Sequence, residues 1–270
     1  MIVNLYRFLC RISPKLKVLI WKQWYQLISK YYKRKEWTFM NYGYAPIGNQ
    51  TESIEVEEKD PDQFCKQLYH HVVGNVDLKG MSVLEVGSGR GGGSHYMNNH
   101  FKPDKMVGVD FSENAVNLCN KNYTLNGLSF EVGDAELLPF SDSSFDVIVN
   151  VESSHCYNSV DNFLGQVKRV LRKGGYFLFT DFRRKEDMGA LLESLNNSGL
   201  TLIKETDITH NVVEALKLDN ENKIALIHKT IHKSLVKPFL QFSGVKGSKI
   251  YENLKNRDNI YQSFVFQKTN

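Results

Sequence analysis

The chain has 270 residues, 41% of them hydrophobic and 24% charged, with a formal net charge of +4. That length holds one sizeable core with a cap, and a second full domain would not fit. The cysteines Cys10, Cys65, Cys119 and Cys156 are scattered without C-x-x-C spacing, which excludes a disulfide framework and a zinc site, so no metal is expected.

The charge is unevenly placed. Nine of the 34 basic residues (Arg7, Arg11, Lys15, Lys17, Lys22, Lys30, Lys33, Arg34 and Lys35) fall in residues 1–35 with no acid, leaving 25 bases against 30 acids beyond them. Ser13-Pro14 is a helix start, and Leu16, Ile20, Trp24, Leu27 and Tyr31 follow at helical spacing. The strictly apolar run from Val18 to Trp21 is far too short to span a bilayer, and no signal-peptide core is present, which points to a cytoplasmic chain. A basic, aromatic-rich amphipathic arm suits peripheral contact with an anionic membrane face, and equally a cap helix packed on the core. Nucleic acid is not an expected partner, because no recognition motif accompanies the charge. Nothing in the sequence specifies an oligomeric state.

Asn41-Tyr42-Gly43-Tyr44-Ala45-Pro46-Ile47-Gly48 and the acidic stretch Glu55 to Asp62 link this arm to the core. Tyr42, ahead of Tyr44, is the candidate to close over a bound ligand. His70-His71 falls on a helix before the core and is assigned to the surface.

Next comes Val83-Leu84-Glu85-Val86-Gly87-Ser88-Gly89-Arg90-Gly91-Gly92-Gly93, an apolar strand, an acid, and a glycine turn opening toward a helix. Glycines let the backbone lie against a ligand, and a helix N-terminus aims N–H groups at an anion. Gly87, Gly89 and Gly92 fit G-x-G-x-x-G, and Asp110 follows where the dinucleotide fingerprint places its acid. Glu85 tips the balance away from a pyrophosphate, since two negative charges would crowd one turn. Its carboxylate suits S-adenosylmethionine, whose amino-acid end offers an ammonium and whose sulfur is cationic.

Further buried strands follow at Met106–Asp110, Phe130–Ala135, Phe145–Asn150 and Tyr176–Asp181, the last after a Gly174-Gly175 turn. Helix-spaced segments at 112–123 and 161–171 separate them. Strands alternating with helices predict a parallel sheet covered on both faces, with ligands beyond the strands' carboxyl ends. Asp110 is placed for the ribose hydroxyls, Asp134 for the adenine amine, and Ala135 leaves room for the ring. Gly87, Ser88, Gly89, Gly91, Phe111, Asn150, Val151 and Glu152 complete the expected cofactor set with Tyr42 and Glu85.

These ordered motifs, with Gly-Asp-Ala-Glu-Leu-Leu-Pro-Phe at 133–140 and Arg-Val-Leu-Arg-Lys-Gly-Gly at 169–175, resemble the class I S-adenosylmethionine-dependent methyltransferases over residues 61 to 183. A narrower set of phrases resembles the phthiotriolone and phenolphthiotriolone dimycocerosate methyltransferases. It comprises Phe39-Met40-Asn41-Tyr42-Gly43-Tyr44, Asn150-Val151-Glu152-Ser153-Ser154-His155-Cys156-Tyr157, and Val245-Lys246-Gly247-Ser248 with Tyr251. Asn158 stands where that family usually has proline, and the glycine loop differs around Ser88 and Arg90. The resemblance implies an α/β fold with a seven-stranded Rossmann-like sheet, mostly parallel with the last strand antiparallel, and helices on both faces. It also implies O-methylation of a hydroxyl on a hydrophobic, lipid or polyketide-like acceptor. A related His and Asp pair in sugar O-methyltransferases implies His155 as general base and Asp181 as its orienter.

After a helix at 187–198 and a sixth strand at 201–205, residues 208–255 carry helical stripes. They read as a substrate cap before a final strand from Ile260 to Gln267. The domain reading is thus an arm and lid over 1–60 and a methyltransferase domain over 61–270. His228 and His232 lack the Glu and third ligand of a zinc motif. Carbon or nitrogen methylation, a nicotinamide oxidoreductase, and a non-catalytic cofactor-binding scaffold at a membrane are the competing readings.

Overall fold

The computed structural model describes residues 37–48 and 60–270, so the basic arm read from residues 1–35 lies outside the described residues. The strands are β1 Ser82–Val86, β2 Lys105–Asp110, β3 Leu128–Val132, β4 Phe145–Val151, β5 Leu171–Arg184, β6 Thr201–Asp207 and β7 Asn259–Gln267. They form one sheet in the order β3-β2-β1-β4-β5-β7-β6. β1 to β5 pair in parallel, and β7 runs antiparallel between β5 and β6.

The side-chain alternation of a strand explains the layers. On β1, Val83 joins a cluster with Met97, Leu68 and Val147, while Leu84 and Val86 join Phe163, Val167 and Ile148 in a second cluster. Helices supply both covers, as a parallel sheet requires. They are α1 Gln63–Val73, α2 Gly92–Phe101, α3 Glu113–Asn122, α4 Val160–Val170 and α5 Lys185–Asn197. Ser112 caps α3 by accepting the Ala115 N–H, and Ser159 caps α4 by accepting that of Asn162. The turn expected at Gly174-Gly175 is a left-handed Gly174 (φ 82°) within β5, where the register with β4 shifts between Phe145 and Val147.

Residues 208–255 are helical as the stripes predict: α6 Thr209–Leu218, α7 Asn220–Thr230, α8 Val236–Phe242 and α9 Lys249–Lys255. Segment 37–48 lies between these helices and the core. Tyr44 N–H donates to the Phe64 carbonyl (2.9 Å), and Ala45 exchanges bonds with Asn211 through both its N–H and its carbonyl. His71, assigned to the surface from sequence, is buried instead, because its ring stacks on Tyr44 at 4.4 Å. No helix among the described residues is long and apolar enough to cross a membrane.

Candidate active site

The carboxyl ends of β1, β2 and β4 open onto a cavity of about 140 Å³. The glycine loop enters first. Gly87 (φ 78°) and Gly91 (φ 80°) adopt the left-handed conformation that glycine alone takes without strain. A Cβ on Gly91 would meet Tyr123, Cys119 and Phe130 within 3 Å. Gly87 and Ser88 both donate their N–H groups to the Val109 carbonyl, at 2.8 and 3.0 Å, and Gly91 donates to Ser88. The first two donors pin the turn to β2, and the third closes the turn on itself.

Glu85, on β1, is fully buried beneath the loop, behind the residues that line the cavity. One oxygen accepts the Tyr69 hydroxyl at 2.6 Å, and the other accepts the Ser94 hydroxyl. Burial pushes this carboxyl up to about 7, against the donors from Ser94 and Tyr69. An acid under the first turn of α2 meets that helix's positive end, so Glu85 fastens helix to strand. Gly91 and Asn150 also sit behind the wall. Asn150 Nδ2 donates to the Val86 carbonyl (2.9 Å), Ser153 Oγ (2.8 Å) and the Tyr157 hydroxyl (2.9 Å).

Tyr42, Gly87, Ser88, Gly89, Asp110, Phe111, Asp134, Ala135, Val151, Glu152 and His155 all reach the cavity. Asp110 ends β2 and accepts one backbone N–H on each oxygen, from Gly89 and Ser112, both at 2.9 Å. A carboxylate has about four acceptor sites, so two remain for neighbouring hydroxyls. Burial lifts Asp110 to about 6. Ser88 Oγ is buried without a protein hydrogen-bond partner, and Ala135 is buried beside Asp134. Spare acceptors for a diol, an orphaned hydroxyl and a small residue for a ring fit an adenosyl group.

Glu152 follows β4 with φ 48°, unusual for a residue with a side chain. Its Oε1 accepts the Tyr42 N–H (2.7 Å) and the Tyr261 hydroxyl (2.6 Å), tying segment 37–48 to β4 and β7. Burial pushes Glu152 up to about 7. Sequence reasoning missed Arg90, Phe182 and Phe242, which also line the cavity. Arg90 donates to the Trp37 carbonyl, with its guanidinium 4.8 Å over the Trp37 ring. The signal was an arginine inside a glycine loop, where a bulky charge needs a purpose.

His155 stands in a short 3₁₀ turn, Ser154–Cys156, after β4. Its Nδ1 lies 2.8 Å from Asp181 Oδ1, and its backbone N–H donates to Oδ2 at 3.0 Å. Asp181, fully buried on β5, also accepts Ser154 Oγ (2.6 Å) and the Phe182 N–H (2.8 Å), and pairs with Arg183 (3.1 Å). Burial opposes its charge, yet His155 and Arg183 hold its carboxyl well below the usual carboxylate range. Burial likewise opposes a charged His155 ring, but the Cys156 sulfur and the Asp181 carboxylate prevail and raise it well above 6.5. With Nδ1 turned to Asp181, Nε2 is the nitrogen left for a substrate proton.

Among the described residues no His, Cys, Asp and Glu group could hold a metal ion. A sequence model of the family described as "Methyltransferase domain" matches residues 77–244. The fatty-acid O-methyltransferase of Mycolicibacterium smegmatis is 34% identical over 266 residues, covering 96% of this chain and 94% of its own length. The phthiotriol/phenolphthiotriol dimycocerosates methyltransferase of Mycobacterium tuberculosis is 33% identical over 249 residues, 92% of either chain. Among solved structures, the [4+2]-cyclase SpnF superposes with a TM-score of 0.69 at 19% identity, covering 91% of this chain and 94% of its own. Geranyl diphosphate C-methyltransferase from Streptomyces coelicolor gives 0.62 at 14% identity, covering 90% and 98%. A cyclase and a C-methyltransferase on one fold leave the reaction to be argued from the site.

Proposed function

Because the chain belongs to the S-adenosylmethionine-dependent methyltransferases, we propose that it methylates a hydroxyl oxygen on an apolar, lipid or polyketide-like acceptor, with His155 as general base. The observation that carries this is the 2.8 Å contact between His155 Nδ1 and a buried, multiply bonded Asp181, on the wall of the cavity that fits an adenosyl group. The cofactor supplies a methyl group already activated on a cationic sulfur. The protein's work is therefore alignment, exclusion of water and removal of one proton. Asp110 and Asp134 face the cavity for the ribose and adenine, and Glu152 is the acid on the same wall for the ammonium. Tyr42 and Phe242 cover the cavity from segment 37–48 and from α8, which makes residues 208–255 a cap. His155 Nε2 would accept the hydroxyl proton as the oxygen takes the methyl carbon and the carbon–sulfur bond breaks with its electron pair left on sulfur as a neutral thioether, and Asp181 would stabilise the imidazolium.

The names of the relatives support a lipid acceptor, and one of them introduces a second reading. A fatty acid is methylated on a carboxylate, which has no proton to remove. The two readings part at His155→Ala. With an alcohol acceptor, turnover should fall by about 10²–10⁴ while S-adenosylhomocysteine binds as before. Unchanged turnover of an alcohol would remove His155 from the base role, and unchanged turnover of a fatty acid alone would favour the carboxylate. We also assign the basic arm, residues 1–35, to peripheral contact with an anionic membrane surface where such acceptors reside.

A further inference from the structure

A second cavity, of about 290 Å³, lies on the other side of segment 37–48. It shares Phe39, Met40, Asn41, Tyr42 and Phe242 with the first, so one stretch of chain and one α8 side chain separate the two. The Tyr42 hydroxyl donates to the Phe242 carbonyl at 3.2 Å and closes that partition. Trp37, Phe39, Leu226, Ile227 and Phe239 give the cavity an apolar wall. Trp37 and Phe239 meet edge to face at 5.7 Å. Such a wall fits an alkyl chain.

The opposite wall is polar in a specific way. Lys223 on α7 reaches Asp219 across 3.4 Å, and their side chains are only 16% and 6% exposed. Asp62 stands on the same wall, accepting the Thr38 hydroxyl at 2.7 Å. Removing an ion pair from water is costly unless further hydrogen bonds satisfy it. An ammonium has three donors, and Asp219 engages Lys223 only at long range. Asp219 already balances the charge of this buried ammonium, so its remaining donors suit a neutral oxygen better than a second anion taken out of water. Lys229, also on this wall, is exposed to solvent and leaves the buried balance unchanged.

We propose that this second cavity receives the apolar chain of the acceptor and that Lys223 donates a hydrogen bond to a neutral oxygen, hydroxyl or carbonyl, carried on that chain. The inference rests on the reading of the first cavity as the transfer site, and makes the enzyme selective for chains bearing a second oxygen. Lys223 is then a specificity residue remote from the reacting atoms.

The test is calorimetric titration of the S-adenosylhomocysteine-loaded protein with straight-chain alcohols from octanol to hexadecanol. Matching diols whose hydroxyl spacing is stepped along the chain form the second series. The best diol should bind about tenfold more tightly than its mono-alcohol, the worth of one hydrogen bond from a charged donor. Lys223→Met should erase that preference and Lys223→Arg should keep part of it. Ile227→Trp, filling the apolar end, should weaken the longest members of both series and leave S-adenosylhomocysteine affinity unchanged. Equal binding of diols and alcohols by the wild type, a preference that survives Lys223→Met, or a chain-length profile untouched by Ile227→Trp would each overturn the proposal. Because binding is read without turnover, tight binding of diols that are never methylated would count against the hydroxyl reading and uphold this one.

Discussion

Asp181→Asn is the sharpest perturbation of the site, because the carboxylate's two oxygens are fully committed. Oδ1 accepts His155 Nδ1 and the Phe182 N–H, and Oδ2 accepts Ser154 Oγ and the His155 N–H while pairing with Arg183. An asparagine must turn its NH₂ toward one of these sets, so at least two donors then face a donor. With the amide nitrogen at the Oδ1 position, the imidazole presents Nδ1 as acceptor and carries its proton on Nε2, the wrong tautomer for a base. Breaking a buried pair from one side costs about 3–5 kcal/mol, here chiefly by leaving Arg183 without its countercharge. The pH dependence carries the signature. Asp181, held below 3.8, contributes stability present above that value and lost as pH falls through its folded value. His155, raised above 6.5, contributes stability present below 6.5 and lost as pH rises through its folded value. Wild-type turnover should therefore rise with pH through a group titrating above 6.5. In Asp181→Asn that limb should move to lower pH while the rate plateau drops by about 10²–10⁴. Urea unfolding, a pH–rate profile and S-adenosylhomocysteine titration on the same preparations read all three quantities. An unmoved pH limb in a folded variant would refute the coupling of Asp181 to His155.

The buried acids give a second pH prediction, opposite in sign to Asp181. Glu85 is raised from 4.5 to about 7, so the cofactor-free protein should lose stability as pH rises through that window, by about 3 kcal/mol from this group alone. Glu152, also near 7, and Asp110, near 6, add in the same direction. Glu85→Gln should flatten the decline by Glu85's share in urea titrations across the window, and parallel curves for variant and wild type would dismiss the assignment. For the arm, deletion of residues 1–35 should abolish co-sedimentation with phosphatidylglycerol vesicles and preserve S-adenosylhomocysteine affinity. Sedimentation that survives the deletion would move membrane contact elsewhere.

The fold was legible because its signals are local and periodic. β1 alternates Val83 against Leu84, and the two residues fall in opposite core clusters. The family phrases also have physical content. Arg169 donates to the carbonyls of Phe140 (2.7 Å) and Leu138 (2.9 Å), so the phrase at 169–175 clamps the one at 133–140. Ser248 caps α9 by accepting the Tyr251 N–H, and Tyr251 is buried, which gives the phrase ending there a structural role. What the sequence could not disclose was the direction of each polar side chain. His71 was misplaced because its partner Tyr44 lies on a separate segment, and the Tyr69 and Ser94 bonds of Glu85 were hidden for the same reason. The second cavity was equally invisible, because its walls come from segment 37–48, α1, α7 and α8, which no motif joins.

One physical criterion distinguishes Asp181, which builds the site, from residues that face the ligand: whether hydrogen-bonding capacity remains after the protein has folded. Asp181 has its capacity engaged by Ser154, His155, Phe182 and Arg183. Asp110 retains acceptor sites beyond its two backbone donors, Ser88 Oγ has no protein partner, and His155 turns only Nδ1 to Asp181. The second group lies on the cavity wall. Glu152 belongs to both, since Oε1 latches Tyr42 and Tyr261 while the residue itself faces the cavity. Its positive φ costs about 1 kcal/mol, and persists because two partners from distant segments hold the carboxylate in place. Glu152 thus joins segment 37–48, β4 and β7 at the cavity wall.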